Sequence, residues 1–562
     1  MYLSFLSVPK TFYKLYIYIS SRMNEEKTTS QKYIFVAGSI MSGLGKGILT
    51  SSIAKLLQSR GYSVTPIKFD GYLNIDCGTM NPFRHGEVFV LDDGSEVDMD
   101  FGTYERFLNI SLSNRNSITG GKLFRALLEK ERRGDYLGRD VQFIPHVTNE
   151  IKDWIKKVGT DTKTDIVMIE IGGTIGDIEN GYFVEAVRQL YNENQSNSLF
   201  IQLTYVPSLS KGEQKTKPTQ QANRLIQSMG IKPDLIVCRE EEPLNKEAKE
   251  KISLYCDVPE DAVFDDPLVD TVYELPLVLE KQGLYDSIAD KLKLAKKEGE
   301  LKNWKKLVSN IKSPEKGTIR IGIVGKYVAV KDAYVSIKEA LLHSAATYGL
   351  SIIIEWVDSE ELETKSELSH LKKFDGIIVP GGFGKRGIEG KIKAIQFARE
   401  NKIPYLGLCL GMQLMVIEFA RNVCGLKGAN SKEFDSETPY PVICLLPEQQ
   451  RIIEKGATMR LGAYEAKIKK GTIAYDSYKE ELTSERHRHR YEVNPEYVLK
   501  LEECGLVISG THPKNSIVEI SEWPDKFGFG IATQAHIELK SRLEAPAPIF
   551  LSFVKAITNN KK

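Results

Sequence analysis

Cysteine, histidine and tryptophan are scarce in this chain: seven, eight and four residues among 562. The cysteines (Cys77, Cys238, Cys256, Cys409, Cys424, Cys444 and Cys504) are odd in number, scattered and without a C-x-x-C pair. That excludes a disulfide framework and a zinc ribbon, and points to a reducing compartment, the cytoplasm. No apolar run reaches the roughly 18 residues a membrane-spanning helix needs. Neither sign of charge dominates: 76 basic and 75 acidic side chains leave a net charge of +1, which excludes a globally basic nucleic-acid coat. There is no internal repeat with a period of about 20 to 50 residues and no low-complexity tract.

What is present is an ordinary globular balance, 41% hydrophobic and 27% charged, in a chain too long for one core. Residues 1–22 are rich in Tyr, Leu, Ile and Ser, carry Lys10, Lys14 and Arg22 and no acid, and Met23 opens a polar stretch to Lys32. We read residues 1–32 as a disordered extension or a start placed too far upstream, with organelle targeting as the alternative. From Tyr33 short β-branched runs alternate with amphipathic stretches: YIFVAG, a helical pattern through Gln58, then Val64–Phe69, Asp165–Ile171, Ser198–Val206 and Asp234–Arg239. This is the pattern of parallel strands with crossover helices. A Lys/Glu/Leu-rich stretch with Trp304 ends at Ser313, Pro314 and Gly317, and a second α/β series follows from Thr318 through Phe374–Pro380 and Ile403–Leu408. The expected fold is α/β in two domains, each a mostly parallel sheet flanked by helices: 33–300, P-loop-like, and 318–558, flavodoxin-like, joined by a helical linker at 301–317.

In the second half, Gly407-Leu408-Cys409-Leu410-Gly411 stands where an apolar strand passes into a helical pattern. A nucleophile on such a bend needs small neighbours, and the helix N-terminus beneath it favours thiolate over thiol. Gln534-Ala535-His536-Ile537-Glu538 offers a base and its orienter: in an extended segment, residues two apart share a face. Pro380-Gly381-Gly382-Phe383-Gly384 offers backbone amides for an oxyanion, beside the amide of Leu410.

These elements, in this order, resemble the class I glutamine amidotransferases. The resemblance implies Cys409 as nucleophile, His536 as base and acid, Glu538 as orienter, and Gly382 with Leu410 as oxyanion donors. Gln413, Glu433 and Arg490 then look like the glutamine clamp. The family usually reads Q-F-H-P-E, so Ala535 and Ile537 are departures that imply altered packing rather than lost chemistry.

The first half opens with a glycine-rich loop, Ser39 to Gly47, in which Ser42, Gly43, Leu44, Gly45, Lys46 and Gly47 are placed to wrap phosphate. It departs from the regular Walker A pattern: Ile40 stands at the first glycine position and Gly47 follows the lysine. Acids follow at Glu96, Asp98 and Asp100 and at Glu170, a hard-oxygen set suited to magnesium. Of these, Glu96 also suits a solvated surface position, whereas Glu170 ends an apolar strand.

The segments GSIMSGLGKG, HGEVFV, YERF, KERRGDYLG, QFIPHVT, EIGGTIGDIE, KTKPTQ, PGGFG, LCLGMQ, TMRLGA and ERHRHRYEV together resemble the CTP synthase family across residues 33–555. That resemblance implies amination of UTP to CTP through a 4-phosphorylated intermediate, with ATP as cosubstrate, Mg2+ on Asp100 and Glu170, and Lys46 and Lys68 on the phosphates. It assigns Ser42, Asp177, Glu179, Lys215, Lys217 and Gln220 to UTP and CTP, the two lysines sharing a face if extended. The loop Thr458–Gly462 resembles the lid through which GTP activates. A homotetramer, and filaments, follow from the same likeness; nucleic acid and membrane do not. Gly71 and Cys77 replace prolines common in the family, which implies a looser loop. An amidoligase of the cobyrinate diamide type, or a filament protein that has lost turnover, stands as the alternative.

Overall fold

The computed structural model describes residues 31–81, 85–209, 213–326, 331–365, 367–382, 384–445 and 459–561. The expectation for the amino-terminal extension therefore lies outside the described residues for 1–30, whereas Gln31 is described and Lys32 already belongs to the first strand. Phe383 and Thr458 also lie outside them.

Strand β1 (Lys32–Gly38) is buried at every position after Lys32, as a strand covered on both faces must be. Helix α1 (Lys46–Gln58), β2 (Val64–Asp70), the hairpin β3 (Phe89–Val90) and β4 (Glu96–Val97), and α2 (Asp100–Leu108) follow. Then come β5 (Ser117–Thr119), β6 (Ile166–Ile171), β7 (Ser198–Tyr205), α3 (Lys217–Ser228), β8 (Leu235–Glu240) and β9 (Val263–Pro267). Seven of these strands form one sheet in the order β9-β8-β7-β1-β6-β2-β5, every pair parallel. The order reverses beside β1, and in such sheets ligands bind at the carboxyl ends of the strands at that reversal, where the glycine-rich loop stands.

The predicted linker is a helix, α4 (Lys302–Lys312), docked rather than free. Trp304 is buried against Phe107 and Tyr273, and its indole N–H donates to the Tyr273 carbonyl at 2.8 Å. Burying such a side chain is worth about 1.5–3 kcal/mol, enough to fix the helix in place.

The second unit comprises β10 (Thr318–Gly325), α5 (Val335–Tyr348), β11 (Ser351–Asp358), β12 (Gly376–Val379), α6 (Ile388–Glu400), β13 (Tyr405–Leu408) and α7 (Leu410–Asn422). It ends with β14 (Arg460–Ile468), β15 (Leu482–His489), β16 (Val507–Thr511), β17 (Val518–Glu522), β18 (Gly530–Thr533) and α8 (Pro548–Asn560). Its nine-stranded sheet runs β11-β10-β12-β13-β18-β17-β16-β14-β15. Pairing is parallel from β11 to β18 and antiparallel from there to β15. The α/β reading holds, and the antiparallel extension adds to it: its strands are joined partly by hairpin-like returns that strand periodicity alone does not distinguish from crossovers.

The two units meet along α2 and the β3–β4 hairpin. Phe89, Val97, Phe101 and Tyr104 share a small apolar core with Leu539 of the second unit. Beneath it, Glu105 is fully buried and accepts from Arg486 at 2.8 and 3.0 Å and also from Arg542. Arg486 completes the cluster by donating to Asp92 at 2.6 Å.

Candidate active sites

Cys409 occupies the turn between β13 and α7 with φ +51° and ψ −100°, a strained conformation for a residue with a side chain. Its neighbours explain how the bend is tolerated. A Cβ on Gly411 would lie 2.1 Å from the Val379 carbonyl oxygen, and one on Gly407 would lie 2.7 Å from the Tyr405 hydroxyl and 2.8 Å from Ala532. Both glycines are needed for close approach, as the sequence spacing suggested. The Cys409 amide donates to the Thr533 carbonyl at 2.8 Å, which ties the turn to β18.

His536 follows β18, and its Nδ1 lies 2.6 Å from Glu538 Oε1. Burial works against a charged imidazole here, but the Glu538 carboxylate and Cys409 outweigh it and hold His536 well above the ordinary histidine value. The pair is assembled, yet not on an extended strand as expected. Ile537–Lys540 is a 3-10 turn, and it is this turn that folds Glu538 back onto His536. Ala535 and Ile537 are buried in the core of the second unit.

The glycine cluster passes directly over this pair: a Cβ on Gly381 would stand 2.7 Å from His536 Cε1 and 3.6 Å from Cys409 Cβ. A cavity of about 630 Å³ opens beyond it, lined by Gly382, Cys409, Leu410, Gln413, Glu433 and Arg490. Gln413 is fixed by donation to the Tyr491 carbonyl at 2.9 Å, and Glu433 accepts from the Gly384 amide at 3.1 Å. The remaining wall includes Gly78, Thr79 and Met80 of the first unit.

Sequence reasoning missed three residues here. Gln534 donates to Cys409 Sγ at 3.7 Å; Arg488 lines the cavity and donates to Glu96 at 2.7 Å; His489 stands beside it in the wall. The signal for Arg488 was the alternation in ERHRHR, which on β15 puts Arg486 and Arg488 on one side. Glu96 is correspondingly not a solvated acid: it is buried, pressed against Gly78 and paired to Arg488 across the two units.

In the first unit, the loop after β1 carries Ile40 at φ +82°, Gly43 at +76° and Gly45 at +93° before α1 begins at Lys46. Ile40 thus adopts the left-handed backbone that the missing glycine would supply, strain of the kind kept at binding loops. Lys46 lies along Gly38 and donates to the Gly173 carbonyl at 2.6 Å. Lys68 bonds Asp100 at 2.5 Å and Asp98 at 3.0 Å, and Asp100 packs against Gly47 at the start of α1. Glu170 is register-paired with both Val36 and Lys68 and accepts from the Tyr104 hydroxyl. Burial, and then Asp100, push its carboxyl up to about 7. Asp100 and Glu170 are hard-oxygen groups beside the loop amides, a donor chemistry that suits a divalent cation alongside the Lys46 and Lys68 ammonium groups.

Comparison with known proteins matches residues 32–294 to the family described as CTP synthase N-terminus and residues 329–556 to glutamine amidotransferase class-I. The CTP synthase of Pyrococcus furiosus is 53% identical over 534 residues, covering 94% of this chain and 98% of that protein. The chain belongs to the CTP synthase family. Another relative, the CTP synthase of Caldanaerobacter subterraneus subsp. tengcongensis, is 52% identical over 532 residues, with 94% and 99% of the two chains covered. Among solved structures, the glutaminase domain of Trypanosoma brucei CTPS with bound acivicin is 40% identical, covers 43% of this chain and 94% of that one, and has a TM-score of 0.40.

Other family positions behave differently from expectation. Lys215 and Lys217 do not share a face, because α3 begins at Lys217. Lys215 pairs with Glu213 at 2.5 Å, while Lys217 lies over the Tyr255 ring. Gln220 is buried, held by Thr216 at 3.0 Å, with its Oε1 lacking a partner among the described residues. Asp177 accepts from the Thr174 amide at 2.8 Å, and Glu179 stands on the exposed turn beside it. Ser42 is exposed at the loop tip. Gly71 is no loosened proline position: a Cβ there would lie 2.4 Å from Asn180 Oδ1, so close packing replaces the ring. Cys77 is likewise buried, its sulfur 3.6 Å from the Tyr72 hydroxyl. In the lid segment, Arg460 is fixed by Glu492 and Glu519, and Gly462 touches Gly94 of the hairpin.

Proposed function

We propose that this chain makes CTP: it hydrolyses glutamine at Cys409, and the ammonia aminates the 4-position of UTP that ATP has phosphorylated. The observation that carries the reading is the cavity at Cys409, one wall of which is formed by Gly78–Met80 of the unit that bears the phosphate loop. A small neutral product leaving the thiol faces the other unit directly.

Cys409 Sγ attacks the side-chain amide carbon of glutamine, and the carbonyl electron pair moves onto oxygen, where the Gly382 and Leu410 amides receive it. Each such donor is worth about 3 kcal/mol in the transition state. His536 passes its proton to the departing nitrogen; ammonia leaves and a thioester remains. His536 then takes a proton from water, whose oxygen displaces the sulfur and releases glutamate. Glu538 keeps the imidazole in the tautomer and orientation both steps require. Gln413, Glu433 and Arg490 hold the glutamine backbone.

In the other unit, the loop amides from Ser42 to Gly47 and the ammonium groups of Lys46 and Lys68 hold ATP's phosphates in line with the UTP 4-oxygen. A magnesium ion held by Asp100 and Glu170 would supply charge neutralisation on the phosphates. Ammonia adds to C4, phosphate departs with the C–O bonding pair, and loss of a proton gives the exocyclic amine. UTP, and CTP as feedback inhibitor, engage Ser42, Asp177, Glu179, Lys215, Lys217 and Gln220. With the two lysines apart in the single chain, that site requires reorganisation or a second copy, in keeping with a homotetramer. Activation by GTP through residues 458–462, a cytoplasmic location, filament assembly and domain limits at 33–300 and 318–558 belong to the same reading.

Purified protein with UTP, ATP, magnesium and either glutamine or ammonium tests it. Cys409→Ala abolishes glutamine-driven CTP formation and leaves the ammonium-driven reaction intact. Equal loss of both would overturn the division between the two sites.

A further inference from the structure

Helix α6 packs its Ile388, Ile392, Ile395 and Ala398 face into the core of the second unit, and Lys391 and Arg399 lie on that same buried face. The fold treats the two cations differently. Arg399 is matched by a bidentate pair with the buried Glu418, at 2.8 and 3.1 Å. Lys391 is fully buried, and its Nζ has no hydrogen-bond partner among the described residues. An uncompensated ammonium in such a place is costly, and it holds its proton most readily where negative charge develops nearby.

The position of Nζ says which charge. It lies 3.8 Å from the point a Cβ on Gly382 would occupy, and the Leu410 side chain stands 3.6 Å from the same point. Lys391 therefore stands next to Gly382 and near Leu410, the two residues whose amides the proposed mechanism gives to the oxygen of a carbonyl attacked by Cys409. The neighbouring Lys326 holds the next part of the same loop by donating to the Gly384 carbonyl.

We propose that Lys391 is a positioning residue of the glutaminase centre, a buried charge that stabilises the oxyanion through the Gly382–Leu410 amides without touching substrate. No proton moves to or from it in the step: the carbonyl pair shifts to oxygen, and the ammonium lowers the energy of that charge. The inference rests on Cys409 being the nucleophile.

The titration of Lys391 supports the assignment. Burial first and then Lys326 pull its proton affinity down to about 7, while Cys409 pulls it up. The charged and titratable groups facing it are Lys326 at the end of β10 and Cys409 at the elbow; beyond Lys326 stand Glu433, Arg386, Glu360 and Glu363. The ammonium is charged below that value and neutral above it, so its help fades as pH rises.

The test is Lys391→Met in the full chain. Glutamine-driven kcat/KM is expected to fall by roughly 10- to 100-fold at pH 6.5, less than the roughly 100- to 1,000-fold of a lost oxyanion donor because Lys391 acts at one remove, with the ammonium-driven rate unchanged. Wild-type kcat/KM for glutamine is expected to decline above about pH 7, and the variant to lack that limb. Its melting temperature should hold or rise, because the methionine removes a buried unpaired charge. Unchanged glutamine-driven activity, or parallel loss of both activities with a lowered melting temperature, overturns the proposal. Should the variant not fold, a wild-type profile with no limb between about pH 6 and 8.5 overturns it equally. Glutamine-driven activity surviving in Cys409→Ala would instead sink the nucleophile assignment and leave the two failures distinct.

Discussion

At Glu538, one carboxylate decides the behaviour of the histidine beside it. Because His536 is held above its ordinary value of 6.5, the pair adds stability that is fully present below pH 6.5 and lost as pH rises through the higher folded-state value. Glu538→Gln is therefore expected to lower the melting temperature of the second unit more at pH 6 than at pH 9. Its glutamine-driven kcat should fall by roughly 100-fold or more, since the imidazole loses its orienter. A melting shift independent of pH would show that the pair is not ionised. The residues that make this centre were largely readable from the chain: Cys409 between glycines, His536 and Glu538 two apart, the glycine cluster after a strand. What escaped was the environment. Nothing local announces that Lys391 faces a core, that Gln534 reaches the sulfur, or that Glu96 is buried under a partner nearly four hundred residues away in sequence, Arg488.

At the scale of the element, the bend between β13 and α7 does most to position the chemistry. Gly411 allows α7 to start against the Val379 carbonyl, so Gly411→Ala forces the turn or β12 to move. Overpacking of this kind costs about 1–3 kcal/mol, and because the displaced group is the proposed nucleophile, the activity loss should exceed the stability loss. Thermal unfolding alongside glutamine and ammonium assays checks this: near-normal glutamine use with a lowered melting temperature would contradict it. The parallel strands were legible because each is a short, mostly apolar and buried run, as in β1, β6 and β13. The extended reading of Lys215 and Lys217 failed because Pro218 suits the first turn of a helix as well as a shaped loop, and the helix won. The hairpin at residues 89–97 is too short for periodicity to reveal, yet it carries the contact between the units.

Across the whole molecule, the arrangement joins two chemistries through one buried ionic cluster. Helix α2 begins at Asp100 in the proposed phosphate site and five residues later places Glu105 between Arg486 and Arg542. Arg486 is two residues from Arg488 in the wall of the cavity at Cys409. Removing one partner of a buried ion cluster costs about 3–5 kcal/mol by stranding the others. Glu105→Ala is thus expected to destabilise the junction and to raise glutamate released per CTP formed, as ammonia escapes; an unchanged ratio would show that the cluster only holds the units together. The account's central claim is that ammonia passes between the two sites inside the protein, and isotope partition tests it most directly. Wild-type enzyme is given glutamine labelled with nitrogen-15 at the amide in a bath of unlabelled ammonium, and the label in the CTP amine is read by mass spectrometry. The account predicts CTP labelled well beyond the isotopic composition of the bath; CTP matching the bath would contradict it.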